Sequence, residues 1–258
     1  LNAAGRLDDM ATGIECLLTD NDTLADQYAE ELNTLNEERK NIERGMQQQA
    51  MTWLQSQSLA QFDQQAGHQH LPWGLCLHDA DWHQGVIGIL ASRIKDKVHR
   101  TVIAFANSEL TDEQKGLEAQ DAFEVQEIKG SARSIPGLHI RDALDLIAKR
   151  RPDVLTKFGG HAMAAGLSLE LEKLDAFKAA FEKAVGELLS PKALERIVET
   201  DGELEDHELS LTNAELLSHR FPWGQGFPAP SFDGEFEVLK HRIVGERHLK
   251  LTLGLPGV

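Results

Sequence analysis

Cysteine is scarce in this sequence, with only Cys16 and Cys76 among 258 residues. The two lie in dissimilar surroundings and form no paired motif, which argues against a disulfide framework and favours a reducing compartment. We interpret both as small, buried hydrophobic residues. His78 and His83 follow Cys76 closely, but His83 lies beyond a predicted turn and no second ligand pair has zinc spacing, so we expect no structural zinc.

Long hydrophobic runs are also missing. The longest, such as GVIGILA, are far too short to span a bilayer, and no charged leader with an apolar core opens the chain. We therefore expect a cytoplasmic protein. The chain begins without Met in a helix-like segment and ends in a strand that has barely begun, which leads us to expect a piece of a longer polypeptide.

Positive charge is in short supply, because 26 lysines and arginines face 42 acidic residues and the net charge is −16. Proteins whose whole surface attracts nucleic acid usually carry a basic footprint, so this class is disfavoured. A narrow basic cleft on an acidic body is still compatible with this charge. The sequence also lacks a cluster of Asp and His residues able to hold two catalytic divalent ions.

A long amphipathic helix is predicted over residues 22–60. Its apolar residues are spaced by three, four and seven positions, which places them on one stripe: Leu24, Tyr28, Leu32, Leu35, Ile42, Met46 and Trp53. Residues 20–23 supply helix-capping side chains. A helix of this length would run roughly 60 Å, longer than a domain core needs, so we interpret it as a spacer between domains.

A compact α/β domain is predicted from residue 72 to residue 190. Residues 74–106 have the spacing of a β-α-β unit with a parallel strand pair. An acidic surface loop is expected at 107–121, followed by a strand that ends in a basic turn. A helix, a strand and a helix then follow at 139–150, 166–170 and 174–189. From about Ile197, a Pro- and Gly-rich stretch and then alternating residues predict a truncated all-β domain.

The stretch KFGGHAMAAG, residues 157–166, places Gly159 and Gly160 before His161. We interpret it as a Gly-Gly turn that opens into a short helical segment, whose free N–H groups and dipole would form an anion site. His161 could donate a hydrogen bond to phosphate or transfer a proton. The alternative is a tight turn packed against the sheet and capped by His161.

Two further polar groups lie at predicted strand ends. In the first group, several polar residues lie close to Arg133, whose guanidinium offers a bidentate fork for phosphate. The alternative is that this group is a solvated basic turn. Its other members are Lys129, Ser131 and Ser134. The second group is Trp82, His83 and Gly85, where Trp82 could either stack on a base or be buried. Because ligands collect at the carboxyl ends of parallel strands, these groups favour a shared binding edge.

These motifs resemble a known family. GGHAMAAG, residues 159–166, is similar to the GGHxxAAG signature of the DHH-associated domain in the DHH phosphoesterase superfamily. LNAAGRL, WHQGVIGILASRI, GSARSIPGLHIRDAL and PWGQGFPAPSFDG are similar, in the same order, to segments of the RecJ family of bacterial 5′-to-3′ single-strand DNA exonucleases. The resemblance covers nearly the whole chain.

The resemblance implies a ring-shaped α/β architecture. In it, an N-terminal DHH domain is joined by a long helix to the DHH-associated domain, which an oligonucleotide-binding (OB) β-barrel follows. On this comparison, residues 1–21 are the tail of the DHH domain, 22–66 the connecting helix, 72–190 the DHH-associated domain and 197–258 part of the OB domain.

The resemblance also implies an activity in recombination and repair on single-stranded DNA with a 5′ end, with single-strand DNA-binding protein as a partner. Two Mn²⁺ or Mg²⁺ ions would be bound by DHH motifs that this sequence does not contain, so we assign no metal ligand. The implied catalytic residue is His161, which would stabilise charge on the scissile phosphate. The implied substrate-binding residues are Gly159, Gly160, Ser131, Arg133, Arg6 and His83.

Two other functions stay open from the sequence. One is an oligonucleotide phosphodiesterase, or nanoRNase, of the same superfamily, although the long helix and the start of a barrel argue against it. The other is a noncatalytic nucleic-acid-binding module. We expect the isolated polypeptide to bind weakly and to cleave nothing.

Overall fold

The computed structural model describes residues 1–60, 72–108, 126–224, 226–245 and 248–256. The chain divides into two compact units, Leu1–Arg196 and Ile197–Val258. Within the described ranges, no helix combines the length and the apolar character needed to cross a lipid bilayer. The predicted loop at 107–121 lies outside the description from residue 109 onward, as do residues 61–66 of the predicted connecting helix.

Three helices open the first unit: α1 Ala4–Leu7, α2 Ala11–Leu18 and α3 Asp22–Ala60. The long helix is confirmed, and the Asn21 side chain caps it by accepting a hydrogen bond from the Leu24 amide at 3.2 Å. Leu32 and Met46 of the predicted stripe are buried, whereas Trp53 is 43% exposed. The stripe is therefore covered only in part, by α1 and α2 toward one end and by a later helix toward the other.

A five-stranded sheet forms the centre of this unit, in the order β1-β2-β3-β5-β4. Its strands are β1 Gly74–His78, β2 Thr101–Asn107, β3 Glu127–Arg133, β4 Lys157–Gly160 and β5 Ala164–Glu170. Helix α4 Ile87–Val98 links the parallel pair β1 and β2, which confirms the predicted β-α-β unit. The other three pairings are antiparallel. The remaining helices are α5 Ile140–Arg150 and α6 Leu174–Leu188, with short 3₁₀ turns at Leu171–Lys173 and Pro191–Leu194.

The sheet is covered completely on one face and only halfway on the other. On the first face, α5 and α6 bury the main core, which is centred on Phe105, Phe177 and Phe181. On the second face, α4 and the end of α3 cover β1 and β2 through residues such as Leu90 and Ile94. Because β2 is buried on both faces, all but its last residue are apolar or hydroxyl side chains.

On the half of the second face formed by β3, β5 and β4, α4 contacts β3, and the described residues place no helix layer over β5 and β4. Successive side chains of a strand point to opposite faces, so β3 sends Ile128 and Ala132 into the core and Lys129, Ser131 and Arg133 outward. Strand β5 does the same with Leu167 and Leu169 inward. Their outward neighbours, together with those of β4, form the open face.

Two local predictions are wrong here. The stretch after Gly160 does not open into a helix: residues 161–163 form the turn of a hairpin, and Ala164 begins β5. Lys129, Ser131 and Arg133 lie within β3 rather than in a turn after it. The anion site that we derived from a helix dipole is therefore not formed by this segment, and the polar groups meet on a sheet face instead of at the carboxyl ends of parallel strands.

The second unit contains helix α7 Leu211–His219 and an antiparallel pair, β6 Glu237–Val244 and β7 His248–Gly254. The predicted strands are confirmed, but α7 was not predicted. The Ser210 hydroxyl caps this helix by accepting from the Asn213 amide at 3.3 Å. Trp223 packs between Phe221 and Phe227, and its indole donates to the Leu217 carbonyl oxygen at 2.6 Å.

Candidate functional site

A groove of about 660 Å³ lies on the open face of the sheet. Its floor is formed by β3, β5 and β4, and its wall by α1 together with the first turn of α4 and the loop before it. Segments from four separate parts of the sequence therefore meet there. The lining residues that matter below are Arg6, Lys129, Ser131, Arg133, Lys157, Gly159, Gly166 and Ser168.

The strand register arranges the floor in rows that cross the sheet. One row joins Ser131, Gly166 and Gly159, which are direct partners across the three strands. The next row, two residues along each strand, joins Lys129, Ser168 and Lys157. On the other side of the glycine row, Arg133 pairs with Ala164. Adjacent rows are about 6.7 Å apart and adjacent strands about 4.8 Å apart.

The two glycines in the middle of the floor have no structural reason to be glycine. A Cβ atom placed on either Gly159 or Gly166 would meet no atom of the described residues within 4 Å, and neither residue has a positive φ. Gly160, in contrast, has φ +147°, and a Cβ there would lie 2.5 Å from the Ala164 carbonyl oxygen. Gly159 and Gly166 therefore leave free space above the sheet, which allows a ligand to approach the backbone closely.

Four cations surround this flat floor. Arg133 donates to the Ser131 hydroxyl at 3.0 Å and to the Ala132 carbonyl oxygen at 2.7 Å. Arg6 donates to the Gly85 carbonyl oxygen at 3.1 Å, and Lys129 to the Gln84 amide oxygen at 3.1 Å. None of the ion pairs in the described part of the chain involves these residues or Lys157.

The positive charges in the groove lie close together, and no described carboxylate pairs with them. Burial, and then the positive charge of Arg6, lower the pKa of Arg133 from its usual range. A guanidinium that is half-buried beside a second guanidinium gains from an anionic partner, and charge-assisted hydrogen bonds are the strong ones. The groove can therefore hold an anion with several oxygen atoms at the Arg133 end.

The structure brings together only some of the residues that the sequence analysis named. Ser131, Arg133, Arg6 and Gly159 all line the groove. His161 does not: its side chain is exposed in the hairpin turn next to the groove, and its backbone N–H donates to the Ala164 carbonyl oxygen at 2.8 Å.

The residues around the loop before α4 have structural roles. The His83 ring accepts a hydrogen bond from the Gly85 amide at 3.0 Å, and its carbonyl oxygen accepts from the first amides of α4. Trp82 is 6% exposed and donates to the Gln49 side chain at 2.9 Å, so it is not available to stack on a base. Ser134 is also buried, and its hydroxyl donates to the Leu138 carbonyl oxygen at 2.8 Å.

Sequence reasoning missed Lys157, Gly166 and Ser168 as residues of the site. It also did not recognise that Lys129 shares a row of the sheet with Lys157. The signal was available in the alternation of the two short strands: Lys157 and Gly159 share one face of β4, as Gly166 and Ser168 do on β5. Because we interpreted the segment as helical, this pairing was not recognised.

Metal binding finds no support among the residues that the structure describes. They contain no group of three or more His, Cys, Asp or Glu side chains that could hold an ion. The buried Cys76 thiol, whose pKa is raised by burial, and the His78 ring, 3.2 Å from the Asn107 side chain, have local surroundings of their own. The described residues therefore do not fit a metal centre.

Comparison with known proteins gives the groove its context. Residues 70–187 match the DHHA1 domain and residues 200–257 match the RecJ OB domain. The chain is 48% identical over 253 residues to the single-stranded-DNA-specific exonuclease RecJ of Escherichia coli and 47% identical to that of Dickeya dadantii.

Over 98% of its length, the chain is similar to members of the RecJ family. A crystal structure of Thermus thermophilus RecJ with Mn²⁺ superposes on 98% of the chain with a TM-score of 0.67 and 29% identity. Another, with Mg²⁺, gives the same TM-score at 28% identity. The match extends over 98% of the chain but only 40% of each bacterial relative named above, and over about a third of the Thermus protein. The fold prediction of an α/β DHH-associated domain followed by an OB segment is confirmed.

Proposed function

We propose that this chain is the substrate-holding part of a metal-dependent 5′-to-3′ exonuclease that degrades single-stranded DNA. The observation that carries the proposal is the groove, in which Arg6, Arg133, Lys129 and Lys157 surround a floor without side chains at Gly159 and Gly166. A polyanionic backbone needs positive charge on both sides and room to approach the sheet, and this arrangement supplies both.

The likeness to RecJ supports single-stranded DNA as the substrate, and the 5′-to-3′ polarity is part of this proposal. RecJ relatives are named for specificity toward single-stranded DNA. In this proposal, Arg133, Ser131 and Arg6 hold the 5′-terminal phosphate. A guanidinium fork with a hydroxyl beside it suits a terminal phosphate, which carries more non-bridging oxygen atoms and more negative charge than an internal one.

The parts of the chain are assigned on the same basis. We propose that residues 1–21 end a DHH domain, 22–66 connect it to the DHH-associated domain at 72–190, and 197–258 belong to an OB domain. The DHHA1 and RecJ OB matches support the last two assignments. The divalent ions, Mn²⁺ or Mg²⁺ as in the Thermus structures, would be held by residues outside those described here.

His161 is proposed as the catalytic residue of this part. Its side chain is exposed at the end of the β4–β5 hairpin, whose strands form the glycine floor. From that position the imidazole could donate a hydrogen bond to a non-bridging oxygen of the scissile phosphate. A donor aimed at developing charge acts on the transition state more than on substrate binding.

The OB segment favours a long substrate over a short one. OB domains bind several nucleotides of a single strand, and an enzyme that acts on dinucleotides has no use for such a surface. The match of residues 200–257 to the RecJ OB domain therefore supports the exonuclease over a nanoRNase of the same superfamily. We propose recombination and repair in the cytoplasm as its setting, with single-strand DNA-binding protein as a partner.

Nuclease kinetics on the longer protein that contains this chain test the proposal. With a 5′-phosphorylated single strand, we expect nucleotides to be released from the 5′ end. Since His161 would act mainly on the transition state, His161→Ala should lower kcat about a hundredfold with little change in KM. Arg133→Gln should mainly raise KM, and Lys183→Gln, a matched loss of charge on α6, should leave both unchanged.

Two results would count against this proposal. Release of nucleotides from the 3′ end alone would reject the assigned polarity. An unchanged kcat in His161→Ala would remove His161 from the catalytic machinery.

A further inference from the structure

The groove contains a second cationic row that the terminal-phosphate assignment does not use. Lys129 on β3 and Lys157 on β4 both pair with Ser168, which lies between them on β5. The two lysine Cα atoms are separated by two strand spacings, about 10 Å. Both lysines point to the open face and line the groove, with the Ser168 hydroxyl between them.

This row lies at a defined distance from Arg133. Lys129 and Arg133 are four residues apart on the same strand, about 13 Å. The glycine row lies halfway, so each step from row to row is about 6.7 Å, comparable with the separation of successive phosphates along an extended single strand. An anion at Arg133, a second above Gly166 and a third at the lysines would then follow one another in register with the sheet.

Among the residues that the structure describes, the two lysines have no anionic partner. Lys129 donates only to the neutral Gln84 side chain, at 3.1 Å, and Lys157 has neither an ion pair nor a side-chain hydrogen bond in the described part of the chain. Two like charges on the same face of the sheet, with one strand between them, repel each other. In a chain of net charge −16, two lysines beside one hydroxyl, without an acidic partner among the described residues, favour an anionic ligand.

The sheet also marks where this track ends. The row after the lysines pairs Glu127 with Glu170, on the same face of the sheet. A phosphate placed above these two carboxylates would be repelled, so a bound strand has to leave the floor beyond the lysines. The open face is thus positive at Arg133, flat at the glycines, positive again at the lysines and negative at the last row.

We infer that Lys129, Ser168 and Lys157 form a second phosphate subsite, which holds an internal phosphodiester of the bound strand two linkages from the terminal phosphate. The inference rests on the proposed function. It assigns to the groove a minimum substrate of three successive phosphates, with the bound strand running along β5, between β3 and β4, from Arg133 toward the lysines.

The test is oligonucleotide binding by the 258-residue chain, measured by fluorescence anisotropy. The probe is 3′-labelled, 5′-phosphorylated hexathymidylate, in which one phosphodiester at a time is replaced by a neutral methylphosphonate. The proteins are the unaltered chain, Lys129→Gln, Lys157→Gln, Arg133→Gln and the control Lys183→Gln. Thermal melting of each variant establishes that it is folded.

We expect Lys129→Gln and Lys157→Gln each to weaken binding of the natural strand by up to about tenfold. For both variants, replacing one particular internal phosphodiester by a methylphosphonate should no longer weaken binding. That phosphodiester is the one whose replacement weakens binding by the unaltered chain most. Arg133→Gln should stay sensitive there and become insensitive to removal of the 5′ phosphate. The slope of log K against log[salt] should fall by about 0.7 when one phosphate contact is lost.

The outcomes separate this inference from the proposed function. If the unaltered chain binds and Arg133→Gln weakens it, but the lysine variants bind like Lys183→Gln, the second subsite is rejected while the proposed function stands. Lysine variants that bind more weakly but keep the full sensitivity at every linkage also reject it. If the unaltered chain does not bind the oligonucleotide, the proposed function itself fails.

Discussion

At the scale of single residues, Gly166 borders open space that a ligand can fill, whereas Gly130 borders the packed core. They lie on adjacent strands and point to opposite faces of the sheet. A Cβ on Gly166 would meet nothing within 4 Å, whereas one on Gly130 would lie 2.5 Å from the Phe105 ring and 2.8 Å from Leu167. Substitution by alanine therefore fills ligand space at Gly166 but overpacks the core at Gly130.

We predict that Gly166→Ala weakens oligonucleotide binding severalfold while changing the free energy of unfolding by no more than about 1 kcal/mol. Its methyl group would stand in the floor of the groove without touching the protein. Gly130→Ala should instead destabilise the fold by about 1–3 kcal/mol through overpacking. Denaturant unfolding and anisotropy on both variants measure the two effects, and equal binding by Gly166→Ala and the unaltered chain would refute the role of the floor.

At the scale of elements, the sequence predicted the large elements well and the β4–β5 hairpin badly. The periods of α3, α4, α5 and α6 and the apolar runs of β1 and β2 are strong local signals, and each is confirmed. The hairpin has no such signal. The outward positions Gly159 and Gly166 are empty and Ala162, Ala164 and Ala165 favour a helix, so the expected alternation is hidden.

The hairpin forms because of contacts that lie far away in the sequence. Strand β5 pairs along its whole length with β3, and Leu167 and Leu169 reach the core that α5 and α6 cover. Helix propensity is weak compared with this burial. The site residues on β4 and β5 could be recognised only once the pairing was known, whereas Ser131, Arg133 and Arg6 were identified from their motifs.

The contact between α1 and the loop before α4 sets the position of Arg6. A Cβ on Gly85 would overlap the Arg6 carbonyl oxygen, at a separation of 1.9 Å, so the two backbones touch directly. Arg6 in turn donates to the Gly85 carbonyl oxygen. The close contact that positions this wall of the groove therefore depends on the absence of a side chain at Gly85.

We predict that Gly85→Ala moves α1 away from the loop and weakens binding of a 5′-phosphorylated strand as much as Arg6→Gln does. A fall in melting temperature should accompany it. The control is Gly45→Ala in α3, which has nothing within 4 Å and should stabilise the helix by up to about 1 kcal/mol. Binding by Gly85→Ala that equals binding by the unaltered chain would show that this contact does not position Arg6.

At the scale of the whole molecule, a net charge of −16 has to be reconciled with a polyanionic ligand. Within the described part of the chain, the structure accounts for this locally, because four cations without carboxylate partners face one groove. Beyond about 8–10 Å, salt screens the acidic surface at physiological ionic strength, whereas contacts in the groove persist. The acidic exterior then disfavours nonspecific association.

A salt titration of single-strand binding by the 258-residue chain tests this account most directly. Three phosphate contacts predict a slope of log K against log[salt] of about −2, and Arg133→Gln should make that slope shallower by about 0.7. A slope near zero, or a slope that Arg133→Gln leaves unchanged, would contradict the claim that the groove binds the phosphates of a single strand.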